Sequence, residues 1–298
     1  MWVEIPGCMV NQKYNSRACG GLFGWCGCER EHIRMGAVTL RGKEMRRVCA
    51  VAAAWLLNIA LWGQGGTAQT PSTPVATTQQ RVETLEKKLT DWAQLSYYRE
   101  ANAAVPAPVA GEQRVVFYGA SIVEYWKTRG PFFPGKPYID RGISGQTTAQ
   151  MLVRFRQDVI NLHPKAVVIL GGTNDVAGNL GPMTPEMTEG NWQSMAELAK
   201  ASGIAVILAS VTPATDFPWR KGLKPAEKIR TLNAWMKNYC ESHGAIFLDL
   251  HSVLSDADGG MKDGLHLDGV HPNAKGYALM EPPTQAAIDR ALGSTQQQ

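Results

Sequence analysis

Ser121 is the first candidate nucleophile in the sequence. It follows Gly119 and Ala120 at the end of a short apolar run, and a helical stretch begins at Ile122. A hydroxyl at that place lies beside the first N–H groups of a helix, which have no partner within the helix. The same place is typical of an N-cap, so Ser121 alone does not distinguish a nucleophile from a capping residue.

Two Asp-x-x-His pairs near the C-terminus are candidates for the base that would activate such a hydroxyl. Asp263 precedes His266 by three residues, and Asp268 precedes His271 by the same spacing. A carboxylate so placed can orient an imidazole and fix its tautomer, which leaves the other ring nitrogen free as a base. Spacing alone leaves the choice between the pairs open, and it also permits a metal pair or a loop salt bridge.

Gly145 and Asn174 are candidate donors to a negatively charged oxygen. Gly145 has no side chain, so its backbone N–H can approach a ligand closely. Asn174 follows two glycines and carries a side-chain amide. Together with the N–H of Ser121 they would form a three-donor oxyanion hole. Turn glycines and a turn or cap asparagine are the ordinary structural interpretations of the same residues.

Short apolar runs alternate with helical stretches from residue 114 onward, which predicts the elements that position these residues. The runs are 115–118, 138–140, 166–170, 204–209 and 245–248, and the helical stretches are 148–162, 191–201 and 226–243. Uninterrupted apolar strands separated by helices indicate a parallel sheet that is covered on both faces. The predicted fold class is α/β, a three-layer α/β/α sandwich with a flavodoxin-like parallel sheet of about five strands. In such a sheet a site lies beyond the carboxyl ends of the strands. Ser121, Gly145 and Asn174 follow predicted strands, and both Asp-x-x-His pairs lie in the last loop before the final helix.

We interpret the first 80 residues as three segments that precede the folded domain. Residues 45–68 have two arginines, an apolar run and small residues at the end, which is typical of a secretory signal peptide. Residues 1–44 are then an extension that a wrongly assigned start codon would explain, and residues 69–80 are a linker. The predicted domain spans 81–298 and opens with a helix over 81–102. Its apolar residues recur at three- and four-residue steps, so we expect that face to pack on the flank of the domain. An uncleaved membrane anchor is the alternative interpretation of residues 45–68.

Charge and cysteine content narrow the possible partners and cofactors. Of the 30 Lys and Arg and the 26 Asp and Glu, residues 1–68 hold 8 and 4, so the remainder carries 22 of each. A balanced domain gives no indication of nucleic-acid binding. The extension contains four cysteines, at positions 8, 19, 26 and 28, but their spacing is not that of a paired zinc module. We expect no metal, no cofactor and no stable membrane association after cleavage, in a secreted or periplasmic protein.

Four blocks of sequence resemble the SGNH hydrolase superfamily, also called GDSL esterases and lipases. They are FYGASIVEYW with Ser121, RGISGQTT with Gly145, ILGGTNDV with Asn174, and DGVHPNAKGY with Asp268 and His271. The resemblance covers about residues 114–292. The family pattern places Pro and Gly-Tyr after its histidine, which favours His271 over His266. The family's usual Gly-Asp-Ser reads Gly-Ala-Ser here, so a carboxylate is missing beside the nucleophile turn at Ala120.

The resemblance implies an esterase in which Ser121, His271 and Asp268 form a catalytic triad. Ser121, Gly145 and Asn174 would form the oxyanion hole, and an acyl-enzyme would be released by water. The segment 211–225 follows the fourth strand and holds Phe217 and Trp219, and we expect it to overhang the site. A loop packed on the surface is the alternative. The expected substrate is a short-chain acyl ester, with an acetyl ester of a carbohydrate as one form of it.

Other classes of function are compatible with the same candidate site. A non-catalytic glycan-binding module would use the site without reaction, and an acyltransferase would pass the acyl group to an alcohol. A nucleotide-binding protein is disfavoured because the loop after the first strand is short and poor in Gly, Ser and Thr.

Overall fold

A computed structural model describes residues 77–295 of the chain. The predicted extension, the signal peptide and residues 69–76 of the predicted linker lie outside this part. Ten α-helices and five strands are described in it, in the order α1 (Thr78–Thr90), α2 (Arg99–Ala103), β1 (Val115–Gly119), α3 (Ser121–Glu124), α4 (Trp126–Arg129), β2 (Tyr138–Gly142), α5 (Thr148–Asp158), β3 (Ala166–Leu170), α6 (Thr173–Ala177), α7 (Pro185–Ala201), β4 (Ala205–Ala209), α8 (Ala226–His243), β5 (Ile246–Leu248), α9 (Leu250–Leu254) and α10 (Ala274–Thr295).

The five strands form one parallel sheet in the order β2-β1-β3-β4-β5. β1 and β3 lie near its centre, and all five residues of each are buried. Successive side chains of a strand point to opposite faces, so strands buried on both faces are apolar throughout. Helices cover both faces, which confirms the predicted α/β/α sandwich.

Each face of the sheet has its own hydrophobic core. On one face Val116 and Ile169 pack in a cluster with Phe155 of α5, Trp192 of α7 and Met236 of α8. On the other face alternate strand residues, among them Phe117 and Leu170, belong to a second cluster.

That second cluster is completed by Trp126 of α4 and by Tyr277 and Met280 of α10. Full burial of one such side chain contributes about 1.5–3 kcal/mol. The strands β1 and β3 are therefore packed on both of their faces.

Two helices begin or end away from their predicted bounds. The stretch predicted over 148–162 ends its α-helix at Asp158 and continues as a 3₁₀ turn over Ile160–Leu162. His163 then adopts a left-handed conformation before Pro164, whose ring disfavours a helical residue in front of it. The helix predicted from residue 191 starts six residues earlier, because Thr184 caps its N-terminus and Pro185 suits the first helical position.

The predicted flanking helix over 81–102 is two short helices joined by a turn. α1 begins at Thr78, inside the predicted linker, and ends at Thr90. The Asp91 carboxylate then accepts hydrogen bonds from the N–H groups of Leu95 and Ser96, which turns the chain. Val82, Leu85 and Leu89 of α1 are 41%, 59% and 80% exposed, so the expectation that this apolar face packs on the domain is wrong. None of the helices within residues 77–295 has the length and apolar character needed to span a bilayer.

Candidate active site

Ser121 stands in a tight turn between β1 and α3. A Cβ on Gly119 would lie 2.1 Å from the carbonyl oxygen of Leu170 and 2.5 Å from a methyl of Val123, so only glycine fits there. Ala120 occupies the N-cap position of α3, and no side chain caps that helix. Ser121 is therefore the first helical residue and does not act as the cap, which leaves its hydroxyl available.

The hydroxyl of Ser121 lies against His271, and His271 lies against Asp268. The distance from Ser121 Oγ to His271 Nε2 is 3.0 Å, and His271 Nδ1 is 2.8 Å from Asp268 Oδ2. With the proton on Nδ1, the ring donates to the carboxylate and presents a bare Nε2 to the hydroxyl. The structure thus brings together three predicted residues, although Ser121 and His271 are 150 positions apart in the chain.

Asp268 is fixed by the backbone of its own loop. Its Oδ1 accepts hydrogen bonds from the N–H groups of Val270, at 3.0 Å, and His271, at 2.8 Å. Partial burial by itself would raise the pKa of Asp268, but the hydrogen bonds from His271 and Val270 outweigh it and lower the pKa below the ordinary value. The carboxylate is therefore ionised at neutral pH and faces the ring.

The alternative pair, Asp263 and His266, makes its contacts within its own loop and not with Ser121. His266 Nδ1 accepts a hydrogen bond of 2.8 Å from the N–H of Gly269, and its Nε2 lies 3.9 Å from the Asp263 carboxylate. The backbone of His266 also pairs with that of Pro272 in a single antiparallel β-bridge. His266 thus shapes the loop that carries His271, and the Asp263 side chain is fully exposed.

The three predicted oxyanion donors follow three neighbouring strands. Gly145 has φ of +78°, a conformation that glycine adopts readily and that turns the chain after β2. Within the described residues, the N–H groups of Ser121 and Gly145 donate to no protein acceptor. Asn174 is 4% exposed, and its Nδ2 donates to the carbonyl of Gln146 at 2.9 Å, which engages one of its two amide hydrogens.

Sequence reasoning did not identify two side chains that hold these donors. Asn179 donates to Asn174 Oδ1 at 2.8 Å and to the carbonyl of Gly145 at 3.3 Å, so it links the second and third donors. Glu124, at the end of α3, accepts hydrogen bonds from the N–H and hydroxyl of Ser144. A single sequence contains no signal for either residue, because the contacts that matter depend on how separate loops meet in the fold.

Trp219 covers the histidine from the loop that follows β4. Its ring centroid is 6.0 Å from that of His271 and 5.3 Å from that of Phe217, on which it stacks. The indole N–H donates to Asn179 Oδ1 at 3.0 Å. The segment predicted to overhang the site therefore contributes a fixed aromatic ring beside the imidazole.

A parallel α/β sandwich with a serine, an imidazole and a carboxylate in a row beyond its strand ends is the arrangement of serine hydrolases. The sequence model of the GDSL-like Lipase/Acylhydrolase family matches residues 110–279. None of the curated proteins matches the chain.

Solved structures give the same assignment. A candidate acylhydrolase from Bacteroides fragilis is 46% identical, covers 68% of this chain and 99% of its own, and has a TM-score of 0.66. A GDSL-like lipase from Bacteroides thetaiotaomicron is also 46% identical, with coverage of 67% and 100% and a TM-score of 0.66. A protein from Streptococcus pneumonia described as a candidate platelet activating factor is 21% identical, with coverage of 71% and 100% and a TM-score of 0.59, and shares the fold.

The chain belongs to the GDSL-like lipase and acylhydrolase family, within the SGNH hydrolase superfamily that its four blocks resemble. It is accordingly an ester hydrolase.

Proposed function

We propose that this chain hydrolyses short-chain acyl esters through an acyl-enzyme formed on Ser121. His271 Nε2 takes the hydroxyl proton as Ser121 Oγ attacks the ester carbonyl, and it then gives that proton to the leaving alcohol. Water attacks the acyl-enzyme in the same way and releases the acid. The observation that carries the proposal is the row from Ser121 Oγ through His271 to Asp268, with distances of 3.0 and 2.8 Å.

The charge that develops on the ester carbonyl oxygen needs donors that are already in place. The N–H groups of Ser121 and Gly145 have no acceptor among residues 77–295, and Asn174 retains one amide hydrogen. Because donors held in place need no reorganisation at the moment of reaction, they stabilise the tetrahedral oxyanion efficiently. Removal of one such donor typically lowers kcat by about 10²–10³.

The surroundings of the site support a short acyl group. The side chain that segment 211–225 places beside His271 is Trp219, which is 44% exposed and held by Phe217 and Asn179. The segment that carries it, residues 211–225, has no long aliphatic run of the kind that would bury a fatty chain. Hydrolysis rates that rise from acetate to octanoate along a p-nitrophenyl ester series would contradict this part of the proposal.

Export through a signal peptide at 45–68 is a further part of the proposal and rests on the sequence alone. The N-terminus of the protein recovered from the periplasm or the medium tests it. Cleavage after Ala68 is expected, and recovery of the uncleaved chain from the membrane would favour the anchor interpretation.

The first test is the hydrolysis of p-nitrophenyl acetate by the full chain and by its Ser121→Ala variant. We expect kcat to fall by at least about 10³-fold, because the nucleophile is removed while the fold is retained. Ser202→Ala changes an exposed serine at the end of α7 and serves as the matched control.

Equal activity of wild type and Ser121→Ala would reject Ser121 as the nucleophile. A folded wild type that binds glycans but hydrolyses no ester would favour the non-catalytic module. Transfer of acetyl to an added alcohol in preference to water would favour an acyltransferase.

A further inference from the structure

A cavity of about 800 Å³ opens beside Gly145. Its lining includes Trp219 and residues of the turn that precedes the sheet, among them Trp92, Gln94 and Tyr97. This size lies in the range of small-molecule sites. The turn over residues 91–97 therefore forms a wall of the cleft, although it lies outside the residues matched by the family model.

Three glutamine side chains clamp this wall. Gln150 Nε2 donates to the carbonyl of Trp92 at 2.7 Å, and Gln146 Nε2 donates to the carbonyl of Ala93 at 3.0 Å. Gln157 Nε2 donates to the carbonyl of Leu95 at 2.8 Å. Because Gln146 and Gln150 are buried, the turn is anchored to the interior and its side chains are held over the cavity.

The turn is also organised from within. The Asp91 carboxylate accepts from the N–H of Leu95 at 2.6 Å and from the N–H and hydroxyl of Ser96 at 2.9 and 2.6 Å. The hydrogen bond from the Ser96 hydroxyl is the largest cause that lowers the pKa of Asp91. Its charge is therefore engaged by the turn itself and is not offered to a ligand.

The cavity offers aromatic faces together with neutral polar groups. Trp92 and Trp219 are each 44% exposed, and Tyr97 is 50% exposed. Among residues 77–295, the indole N–H of Trp92 and the amide N–H₂ of Gln94 have no acceptor, whereas Gln94 Oε1 accepts from Gln146. Within the described part of the chain, Asp91 is the sole charged side chain in the lining.

These features select one class of ligand. An anionic group would find no cation in this lining, and a fatty chain would leave neutral amides without partners. A sugar ring has C–H faces that pack on indole rings and hydroxyl edges that accept and donate hydrogen bonds. The mixture of rings and amides fits such a ring.

We propose that residues 91–97 form a sugar subsite, in which Trp92 and Trp219 bind the saccharide part of an acylated carbohydrate. The subsite rests on the proposed hydrolysis at Ser121, because Gly145 belongs both to the cavity and to the oxyanion donors. Trp92 determines specificity from a position outside the catalytic machinery. Because its backbone is clamped, binding requires less ordering of this wall.

The test compares acetylated methyl glycosides of glucose and xylose with ethyl acetate, which has no ring to stack. For wild type we expect kcat/KM to be higher on the glycosides. Trp92→Ala should lower the ratio of glycoside to ethyl acetate activity by about threefold to tenfold, mainly through KM, because an aromatic platform is lost. Trp92→Phe should keep part of the ratio.

Leu279→Ala is the matched control, since Leu279 is 46% exposed on α10 and lies outside the cavity lining. It should leave the ratio unchanged. A wild type without preference for glycosides, or a Trp92→Ala variant with an unchanged ratio, would overturn the subsite. If Trp92→Ala does not fold, Trp92→Phe takes its place, and a ratio in that variant equal to the wild-type ratio overturns the subsite equally.

Different results would reject the sugar subsite and the proposed hydrolysis. Activity on ethyl acetate that requires Ser121, with no glycoside preference, removes the subsite alone. Absence of all esterase activity removes the proposed function.

Discussion

The serine side of the site and its histidine side are built in different ways. The serine side, which is Ser121, Gly145 and Asn174, rests on the ends of three neighbouring strands, β1, β2 and β3, and on buried polar groups beneath them. The histidine side is the loop over residues 263–273, which is held by hydrogen bonds within itself and is partly exposed. Asp268, for example, has a side chain that is 37% exposed.

Arg154 is the clearest example of the buried scaffold under the serine side. Its side chain is fully buried, pairs with Asp158 at 2.9 Å, and donates to the carbonyls of Gly119 at 2.8 Å and Arg141 at 2.9 Å. It also donates to Gln146 Oε1 at 2.6 Å. One cation thus joins the ends of β1 and β2 to the glutamine that clamps the cavity wall.

Two buried carboxylates support the same side. Burial raises the pKa of Asp140 to about 6, while the N–H of Gly142 hydrogen-bonds to it. Burial also raises the pKa of Asp175, although hydrogen bonds from Thr148 oppose the rise. Buried polar groups of this kind fix positions strongly, but removal of one partner is costly. Substitution in the buried scaffold under the serine side should therefore lower stability, whereas substitution in the loop that carries His271 should lower activity.

Asp268→Asn should have the largest effect, on activity alone. The carbonyl oxygen of the substituted side chain can still accept the N–H groups of Val270 and His271, so the loop should stay folded. An amide has no negative charge to stabilise a protonated His271 ring. It also no longer favours the tautomer with the proton on Nδ1, which leaves Nε2 unprotonated and facing Ser121. We expect kcat to fall by on the order of 10²–10⁴, with the free energy of unfolding within about 1 kcal/mol of wild type.

Steady-state kinetics and urea unfolding on one preparation make this measurement. Asp263→Asn, in the neighbouring pair, is the matched control and should change neither quantity. A destabilised Asp268→Asn variant with nearly normal kcat would reverse the assignment of the two sides.

Arg154→Met should have the second largest effect, on stability. It leaves the buried Asp158 side chain without its paired cation and removes the donor to Gly119 and Arg141. Loss of one partner of a buried ion pair typically costs about 3–5 kcal/mol. Urea unfolding measures the loss, and Arg156→Met, which changes an exposed arginine on the same helix, should cost far less. Equal stability of these two variants would refute the scaffold described for the serine side.

The strands and the main helices were predictable because their signals are local. β3 has the predicted bounds, 166–170, and α8 has the predicted bounds, 226–243. α8 lies between Pro225 and Gly244, and Gly244 has the left-handed conformation that commonly ends a helix. Polar residues after the strand ends were likewise predictable as site candidates, since parallel strands end at one edge.

Long-range polar contacts were not predictable from this sequence. Gln146, Gln150 and Gln157 read as polar residues in or beside a helical stretch, yet their partners lie 53, 58 and 62 residues away. The choice of His271 over His266 needed the family resemblance, because both pairs have the same spacing. The exposed apolar face of α1 shows the opposite failure, in which a periodic pattern predicted packing that the fold does not provide.

Glu124→Gln should have the smallest effect and tests how the serine side is held against the cavity wall over residues 91–97. The carboxylate accepts from Ser144 N–H at 2.8 Å and, through its other oxygen, from the hydroxyl of Tyr97 at 2.5 Å. Glutamine has one acceptor oxygen, so its amide group either loses the contact with Ser144 or meets the Tyr97 hydroxyl as a donor, and neutral hydrogen bonds replace those of the carboxylate. The turn that carries Gly145 is then held less firmly. We expect kcat to fall by about threefold to tenfold with little change in KM, as a positioning residue for a transition-state donor requires.

Tyr97→Phe removes the hydroxyl contact that Glu124 receives from the cavity wall. Ser144→Ala removes the hydroxyl contact from the donor turn and keeps the backbone N–H contact. If Glu124 positions Gly145, Ser144→Ala should lower kcat alone, and its combination with Glu124→Gln should lose less than the sum of the two single losses. Tyr97→Phe should affect kcat less, because Tyr97 contacts Glu124 from the cavity wall and not from the donor turn. A change in KM alone would instead indicate that Glu124 acts on the cavity wall over residues 91–97. The geometry of the serine side would then depend on the buried scaffold around Arg154.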